Sequence, residues 1–149
     1  MVGLMHRREA VFTVPTAPDV LWGFIRDFES LCACIPGVER LHRVDDATAE
    51  VTVVEKVGVV PIRVELNAHI DAEDPPRSLH AVAKGKHVDV DIHVSLRATG
   101  AGTEMTSSFQ VIGRGPLKPV VDRLFERRAD ERTAQFTQLL EARFGGVPA

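Results

Sequence analysis

The sequence predicts an α+β fold in which a curved, antiparallel, seven-stranded sheet wraps around one long C-terminal helix, with two short helices between strands 1 and 2. Three observations favour this fold. The middle of the chain alternates apolar and polar residues, which is typical of strands with one buried face. Short turns join these segments, which favours antiparallel pairing. The last segment carries an apolar stripe at helical spacing that can cover the dry face of the sheet.

The chain begins with a strand that leads into a helical segment. Residues 6–15 end in alternating valine and phenylalanine, which predicts the first strand. Pro18 suits the first position of a helix, because its missing N–H would have no partner there. Apolar residues then recur at helical spacing over 20–31, so we expect two short helices with a break near Asp27, or one longer helix. Gly37, which follows a proline, ends this segment.

Six further strands are predicted before the final helix. The clearest lies within 62–72, where every second side chain is apolar. The predicted strands are 38–44, 50–58, 62–72, 78–85, 87–99 and 103–113. A chain break is expected over 58–61, which begins with glycine and ends with proline. From 117 to 144 the apolar residues return to helical spacing, interrupted by a charged stretch, which predicts one long helix.

The composition argues against several classes of function. The chain has 149 residues, which fits one domain. Its net charge is −3, whereas a protein that binds nucleic acid usually has a basic excess. No run of about 18 apolar residues is present, and the N-terminus lacks the apolar core of a signal peptide. We therefore expect a cytoplasmic protein with no transmembrane segment and no nucleic-acid partner; both a monomer and a homodimer are compatible with the sequence.

The two cysteines, Cys32 and Cys34, do not indicate a metal or redox site. A structural zinc site usually needs four ligands, and the sequence has no second cysteine pair. A C-x-C pair is also shorter than the C-x-x-C motif of thioredoxin-like redox proteins. We predict that Cys34 is a small buried side chain at a helix end, and we predict no cofactor.

The strand over 87–99 carries His87, Asp89, Asp91 and His93 on one face. These residue types can bind a metal ion. Neighbours on one face of a strand lie about 6.6 Å apart, however, so at most two of the four could share an ion. Because the opposite face is apolar, we interpret the four residues as a solvated ladder and predict no metal site.

Several motifs resemble a known protein family. The segment VPTAPDVLW (14–22) resembles the opening of the START-like, or helix-grip, superfamily, also called SRPBCC. The segments CIPGVE (34–39) and DPPR (74–77) are similar to the CoxG family within that superfamily, which is named after the G subunit of carbon monoxide dehydrogenase. The resemblance covers about 9–144, and it implies a single START-like domain over 1–149.

This resemblance implies a fold with an apolar cavity between the sheet and the C-terminal helix. Members of the superfamily bind lipids, sterols, quinones or polyketides, and CoxG-like members are associated with molybdenum hydroxylases. The resemblance therefore implies a protein that binds a quinone- or lipid-like molecule as an accessory to a redox enzyme complex. It is also compatible with peripheral contact with a membrane. A polyketide cyclase or dehydratase that uses the same cavity is the alternative. A module whose apolar groove binds a partner protein is a third interpretation.

The predicted wall of the cavity combines the apolar faces of the strands with the apolar stripe of the helix. Its members are Val53, Val64, Leu66, Val90, Ile92, Met105, Ser107, Phe109, Leu117, Val121, Leu124, Phe125 and Arg128. Apolar pockets with a few polar groups are typical of small-molecule sites. Ser107 could orient the polar end of a ligand, or could bond neighbouring backbone.

Two further charged positions are candidates. Arg128 lies on the helical stripe, four residues after Leu124, and either it or Arg132 could pair with an anionic ligand head; both could instead belong to an exposed, salt-bridged face. Glu55 alternates with inward valines, so it could be an inward general acid and is the candidate for a catalytic residue. A bulge at Val53 and the valine after it would turn Glu55 outward.

Overall fold

The computed structural model describes residues 6–33 and 37–144, which form one seven-stranded sheet, two short helices and one long helix. This confirms the predicted helix-grip fold class. The strands are β1 (His6–Val14), β2 (Val38–Arg43), β3 (Thr48–Val57), β4 (Val60–Asp74), β5 (Ser78–Gly85), β6 (Val88–Thr99) and β7 (Gly102–Gly113). The helices are α1 (Pro18–Arg26), α2 (Phe28–Cys32) and α3 (Lys118–Phe144), and a short 3-10 turn over Gly115–Leu117 precedes α3.

The sheet is antiparallel throughout, in the order β1-β7-β6-β5-β4-β3-β2. Strands β2 to β7 follow each other as neighbours, whereas β1 pairs with β7 at the opposite edge from β2. The α1–α2 segment therefore connects the two edges of the sheet. The pairing register shifts between Ile70 and Ala72 on β4, and between Val38 and Arg40 on β2. Such irregularities bend a strand and help to curve a sheet.

The break between the two short helices lies at Asp27, as predicted. Asp27 has extended backbone angles (φ −94°, ψ 114°), so the helix cannot continue through it. The hydroxyl of Ser30 donates a hydrogen bond to Asp27 Oδ2 at 2.6 Å. This bond holds the pKa of the Asp27 carboxyl below its ordinary value, because it stabilises the charged form.

Two hairpin turns depend on glycine. Gly58 has φ +66° in the turn between β3 and β4, which is shorter than the break predicted over 58–61. Pro61 lies within β4, opposite Lys56, one residue after the strand begins. Gly102 opens β7 with φ +144°, where a Cβ would lie 2.2 Å from the carbonyl oxygen of Val14. The chain therefore passes too close to β1 for any side chain at this position.

The core closes one end of the molecule, where α1 and the C-terminal half of α3 meet β6, β7 and β1. Leu21 and Leu140 are fully buried, and Met105 is 1% exposed. The buried cluster comprises Val14, Leu21, Phe24, Ile25, Val94, Leu96, Met105 and Leu140. Aromatic rings at its margin meet edge to face, with Phe12–Phe136 centroids 6.2 Å apart and Phe24–Phe144 centroids 5.1 Å apart. No helix within the described ranges is long and apolar enough to cross a membrane.

Candidate functional site

The inner face of strands β3 to β6 is apolar apart from Glu55. Cross-strand pairing aligns its side chains, with Val53 opposite Val64 and Ala83 opposite Val90. Because side chains alternate along a strand, the members of each such pair point to the same face. Val53, Val64 and Val90 are only half-buried, whereas Ala83 and other inward side chains, such as Val51 and Ile70, are buried.

Helix α3 leaves this surface partly uncovered because it packs mainly against β1 and β7. We call the space between α3 and the inner face of β3–β6 the groove. Ile92, which belongs to this inner face, packs against the buried core cluster that contains Leu140. A half-buried apolar surface beside a closed core is suited to receive an apolar molecule, since burying it removes apolar area from water.

Most of the predicted wall residues share the inner face. The register places six of them and Glu55 there, namely Val53, Val64, Val90, Ile92, Ser107 and Phe109. Leu66 also points inward, because it pairs with Val51. On the helix side, Phe125 meets Phe109 edge to face with centroids 5.6 Å apart, and Leu124 is half-buried.

Three predicted wall residues have other surroundings. Met105 belongs to the closed core, because Leu96 lies opposite it on β6 and Phe12 lies opposite it on β1. Val121 packs over the end of β7, where a Cβ on Gly113 would lie 3.0 Å from the Val121 Cβ. Leu117 is 37% exposed in the turn before α3.

Some of the predicted features lie outside the described residues. The Cys34-Ile35-Pro36 part of the family motif is among them, so the predicted burial of Cys34 has no structural description. The backbone of Arg128 lies in α3, but its side chain is not described. Cys32 is half-buried at the end of α2, and burial raises the pKa of its thiol, because apolar surroundings disfavour the thiolate.

An ion pair spans the groove between β3 and α3. Arg132 Nη2 donates to Glu55 Oε1 at 2.7 Å. Strand β3 pairs with β4 without a register shift from Thr48 to Val57, so the bulge that would have turned Glu55 outward is not present. The side chains of Glu55 and Arg132 are 20% and 27% exposed, which is low for a charged pair. The pair therefore places two charges beside the apolar side chains of the inner face.

The turn before β2 packs against this pair. Gly37 has φ +89°, and its carbonyl accepts a 2.8 Å hydrogen bond from the backbone N–H of Val54. A Cβ on Gly37 would lie 3.1 Å from the carbonyl oxygen of Val54 and 3.6 Å from Arg132 Nη2. The glycine of the family motif thus lets the chain pass close to the Arg132 guanidinium.

Each partner in the ion pair retains one polar atom without a hydrogen bond among the described residues. These atoms are Glu55 Oε2, an acceptor, and Arg132 Nε, a donor, and both are shielded from solvent. Buried polar atoms are normally satisfied, and each one left unsatisfied costs about 1–3 kcal/mol. A ligand group with both a donor and an acceptor could satisfy them together.

The outer face of the sheet carries the predicted polar ladder. Asp89 lies 3.1 Å from Arg114 Nη2, and Asp91 lies beside His93. The alternation of the strand predicts these residues on the outer face, which is where the register places them. His80 is not among the predicted residues, because only the pairing of β5 with β6 brings it next to Asp91, at 2.9 Å.

Solved structures of low sequence identity share this fold. A conserved protein from Geobacillus kaustophilus is similar with a TM-score of 0.74 and 14% identity, covering 96% of each chain. A START superfamily protein from Mycobacterium smegmatis has a TM-score of 0.67 and 15% identity, covering 97% of this chain and 99% of the other. The Zhui aromatase/cyclase from Streptomyces has a TM-score of 0.63 and 13% identity, covering 93% of this chain and 95% of the other. At these identities the likeness shows the fold alone.

The family is shown by the sequence itself. No curated protein is similar enough to this chain to count as a match. The family model of CoxG, the G subunit of carbon monoxide dehydrogenase, in contrast, matches residues 11–145, which is most of the chain. That match agrees with the resemblance carried by the motifs and with the helix-grip architecture of the structure. The chain therefore belongs to the CoxG family.

Proposed function

We propose that this protein binds a hydrophobic small molecule, quinone- or lipid-like, in the groove between α3 and the inner face of β3–β6. The observation that carries the proposal is the set of half-buried apolar side chains on the inner face, with the shielded Glu55–Arg132 ion pair beside them. The apolar body of the ligand would pack on the valines and Leu66, at about 25 cal/mol per Å² of area removed from water, less the cost of ordering. Its polar end would meet Glu55 and Arg132.

A quinone or a fatty acid fits this arrangement of groups. Both have a long apolar part and an oxygen atom that can accept a hydrogen bond from Arg132 Nε, and in the quinol or the protonated acid an O–H can donate to Glu55 Oε2. Membership of the CoxG family supports a role beside a molybdenum hydroxylase. The bound molecule would be delivered to that enzyme, or a bound quinone would accept electrons from it. As part of this proposal we also predict a cytoplasmic location, a single domain over 1–149, and a monomeric or homodimeric state.

A matched pair of variants on β4 tests the groove. Leu66 points inward and the neighbouring Glu65 points outward, so Leu66→Gln makes the wall polar while Glu65→Gln leaves it unchanged. Binding of a short-chain quinone and of a fatty acid is followed by quenching of Trp22, the single tryptophan, which packs beside the core. We expect the Leu66→Gln protein to bind at least about tenfold more weakly, and the Glu65→Gln protein to bind as the natural protein does.

Native mass spectrometry of the freshly purified protein provides an independent readout. A copurifying apolar molecule that is lost from the Leu66→Gln protein supports the proposal. A folded natural protein that binds neither probe, or equal binding by both variants, overturns it. The accessory role is tested separately, by asking whether the loaded protein increases electron transfer between a CoxG-associated molybdenum hydroxylase and quinone.

A second candidate is an enzyme of the polyketide cyclase or dehydratase type. The observation in its favour is that Glu55 faces the groove and has one oxygen free of hydrogen bonds among the described residues. The chain has no tyrosine, so acid–base chemistry would fall to a carboxyl or another group. Turnover of a poly-β-ketone substrate that is lost in Glu55→Ala would support this activity, and unchanged turnover would remove Glu55 from it.

A further inference from the structure

We propose that His80, Asp91 and His93 form a site for one divalent transition metal ion, such as Zn²⁺, on the outer face of the sheet. The three residues come from the neighbouring strands β5 and β6, where His80 pairs directly with His93. Asp91 lies two residues before His93, so it shares the same face. The site is on the opposite side of the sheet from the groove. Ala81 and Ile92 pair with each other and point inward, so their sequence neighbours His80 and Asp91 point outward.

The donor atoms are close enough to share an ion. His80 Nε2 lies 2.9 Å from Asp91 Oδ1, and His93 Nε2 lies 3.5 Å from the same oxygen. One donor atom from each residue can be chosen so that all three lie within 4.8 Å of one another. Ligands about 2.0–2.1 Å from a tetrahedral zinc ion are about 3.3 Å apart, so two of the three separations are already near that value.

Only a rotation of the two imidazole rings is needed to bring all three donor atoms to this spacing. The His80 and His93 rings are stacked, with centroids 4.1 Å apart and planes inclined by 9°. A shared ion requires the rings to tilt toward each other. The terminal torsion of histidine is soft, and the His93 side chain is 63% exposed, so its ring can rotate without disturbing the core.

Asp71 supplies a second observation that points to a metal ligand. Its Oδ2 lies 3.2 Å from His80 Nδ1, on the side of the ring away from Asp91. A carboxylate that accepts from one ring nitrogen directs the lone pair of the other toward a metal, and metal-binding histidines almost always have such a partner. The register shift between Ile70 and Ala72 lies at Asp71, and shifts of this kind re-aim side chains.

The donor set selects the class of ion. Two imidazoles and one carboxylate suit Zn²⁺, Co²⁺, Ni²⁺ or Cu²⁺, whereas Mg²⁺ and Ca²⁺ prefer oxygen ligands. His80 is 22% exposed and Asp91 is 36% exposed, so the inner side of the site is shielded while the outer side is open to water. An ion held here would keep at least one coordination position for water or for a group from outside.

Calorimetric titration of ZnCl₂ into the untagged protein tests the proposal, because a histidine tag would bind zinc itself. We expect one ion per chain, and a loss of affinity of more than about 100-fold in His80→Gln and in His93→Gln. Asp71→Asn should weaken binding by about 10- to 100-fold, because it removes the orienting partner and no ligand. Zinc should raise the melting temperature of the natural protein and not that of His93→Gln.

The control is His42→Gln, which removes an exposed histidine from β2 at the edge of the sheet. It should bind zinc as the natural protein does, and MgCl₂ should give no saturable signal with either. His93 is exposed, so its replacement leaves a folded protein on which the result can be read. The proposal is overturned if the natural protein shows no saturable binding, or if His80→Gln and His93→Gln keep its affinity.

Discussion

Arg132 on α3 and Glu55 on β3 are joined across the groove by a 2.7 Å hydrogen bond, although 77 positions separate them in the sequence. The pair connects the long helix to strands that α3 otherwise barely touches. Its charges are shielded more than those of arginine–carboxylate pairs on the outer face of the sheet, such as Arg97–Glu104. The pair is therefore expected to matter for stability as well as for ligand binding.

The first prediction concerns this pair. Arg132→Gln leaves the shielded Glu55 carboxylate without its partner and should lower the free energy of unfolding by about 1–3 kcal/mol. The matched control is Arg97→Gln, which breaks an arginine pair of 3.0 Å whose arginine side chain is 70% exposed. That change should cost less than about 1 kcal/mol. Urea denaturation measures both, and equal losses would show that shielding gives the Glu55 pair no added strength.

The second prediction concerns the core beneath α3. Leu140 is fully buried in the core cluster, so Leu140→Ala should lower the free energy of unfolding by about 2–5 kcal/mol through lost burial and a cavity. The adjacent Leu139 is 41% exposed, and Leu139→Ala should cost much less. Thermal and urea unfolding compare the two. A similar loss in both variants would contradict the conclusion that Leu140 faces the core and Leu139 does not.

The third prediction concerns the turn between β6 and β7. Gly102→Ala should be destabilising by about 1–3 kcal/mol or more, since φ is +144° and the added Cβ would meet the Val14 carbonyl. Gly100 lies in the same turn, and a Cβ added there would have no heavy atom within 4 Å beyond its chain neighbours. Gly100→Ala is expected to be neutral, or to stabilise by up to about 1 kcal/mol. Equilibrium unfolding tests this contrast, which fails if Gly102→Ala is tolerated equally well.

The fourth prediction follows from the raised pKa of the Cys32 thiol. A raised pKa means a smaller fraction of thiolate at any pH below it, and the thiolate is the form that reacts. In a Cys34→Ser background, iodoacetamide should alkylate folded Cys32 slowly at neutral pH. Its rate should rise with a midpoint above the ordinary thiol pKa of about 8.5. The urea-unfolded chain is the reference, and alkylation equally fast in both states would contradict the burial of this side chain.

Much of the fold can be predicted because periodicity is a local property. Strand β4 shows which side chains point inward through its own alternation. The helical spacing over 20–31 is compatible with one helix or two, and the extended backbone of Asp27 decides for two. The boundaries are less accurate. Pro61 is predicted to interrupt the chain but lies inside β4, because its position near the strand start lets it pair without donating a hydrogen bond.

The polar groups of the site are harder to predict. The direction of Glu55 depends on whether two successive valines form a bulge, and only the pairing of β3 with β4 decides that. The helical stripe favours Arg128 over Arg132; the structure shows Arg132 bonded to Glu55, while the side chain of Arg128 is outside the described part of the chain. An apolar stripe shows which side of a helix faces the sheet, but not how far along the groove each of its residues lies. It therefore cannot show which of two arginines one turn apart reaches Glu55.

The amino-acid sequence alone is sufficient for the order of the elements, the apolar and polar faces of the strands, and the family. Each of these follows from residues that are close together in the chain or from a short motif. The tertiary structure decides which distant residues meet, namely Glu55 with Arg132 inside the groove and His80 with Asp91 and His93 outside it. The physical reason is that these contacts depend on the register between strands and on the placement of α3, and both are set by packing across the whole sheet.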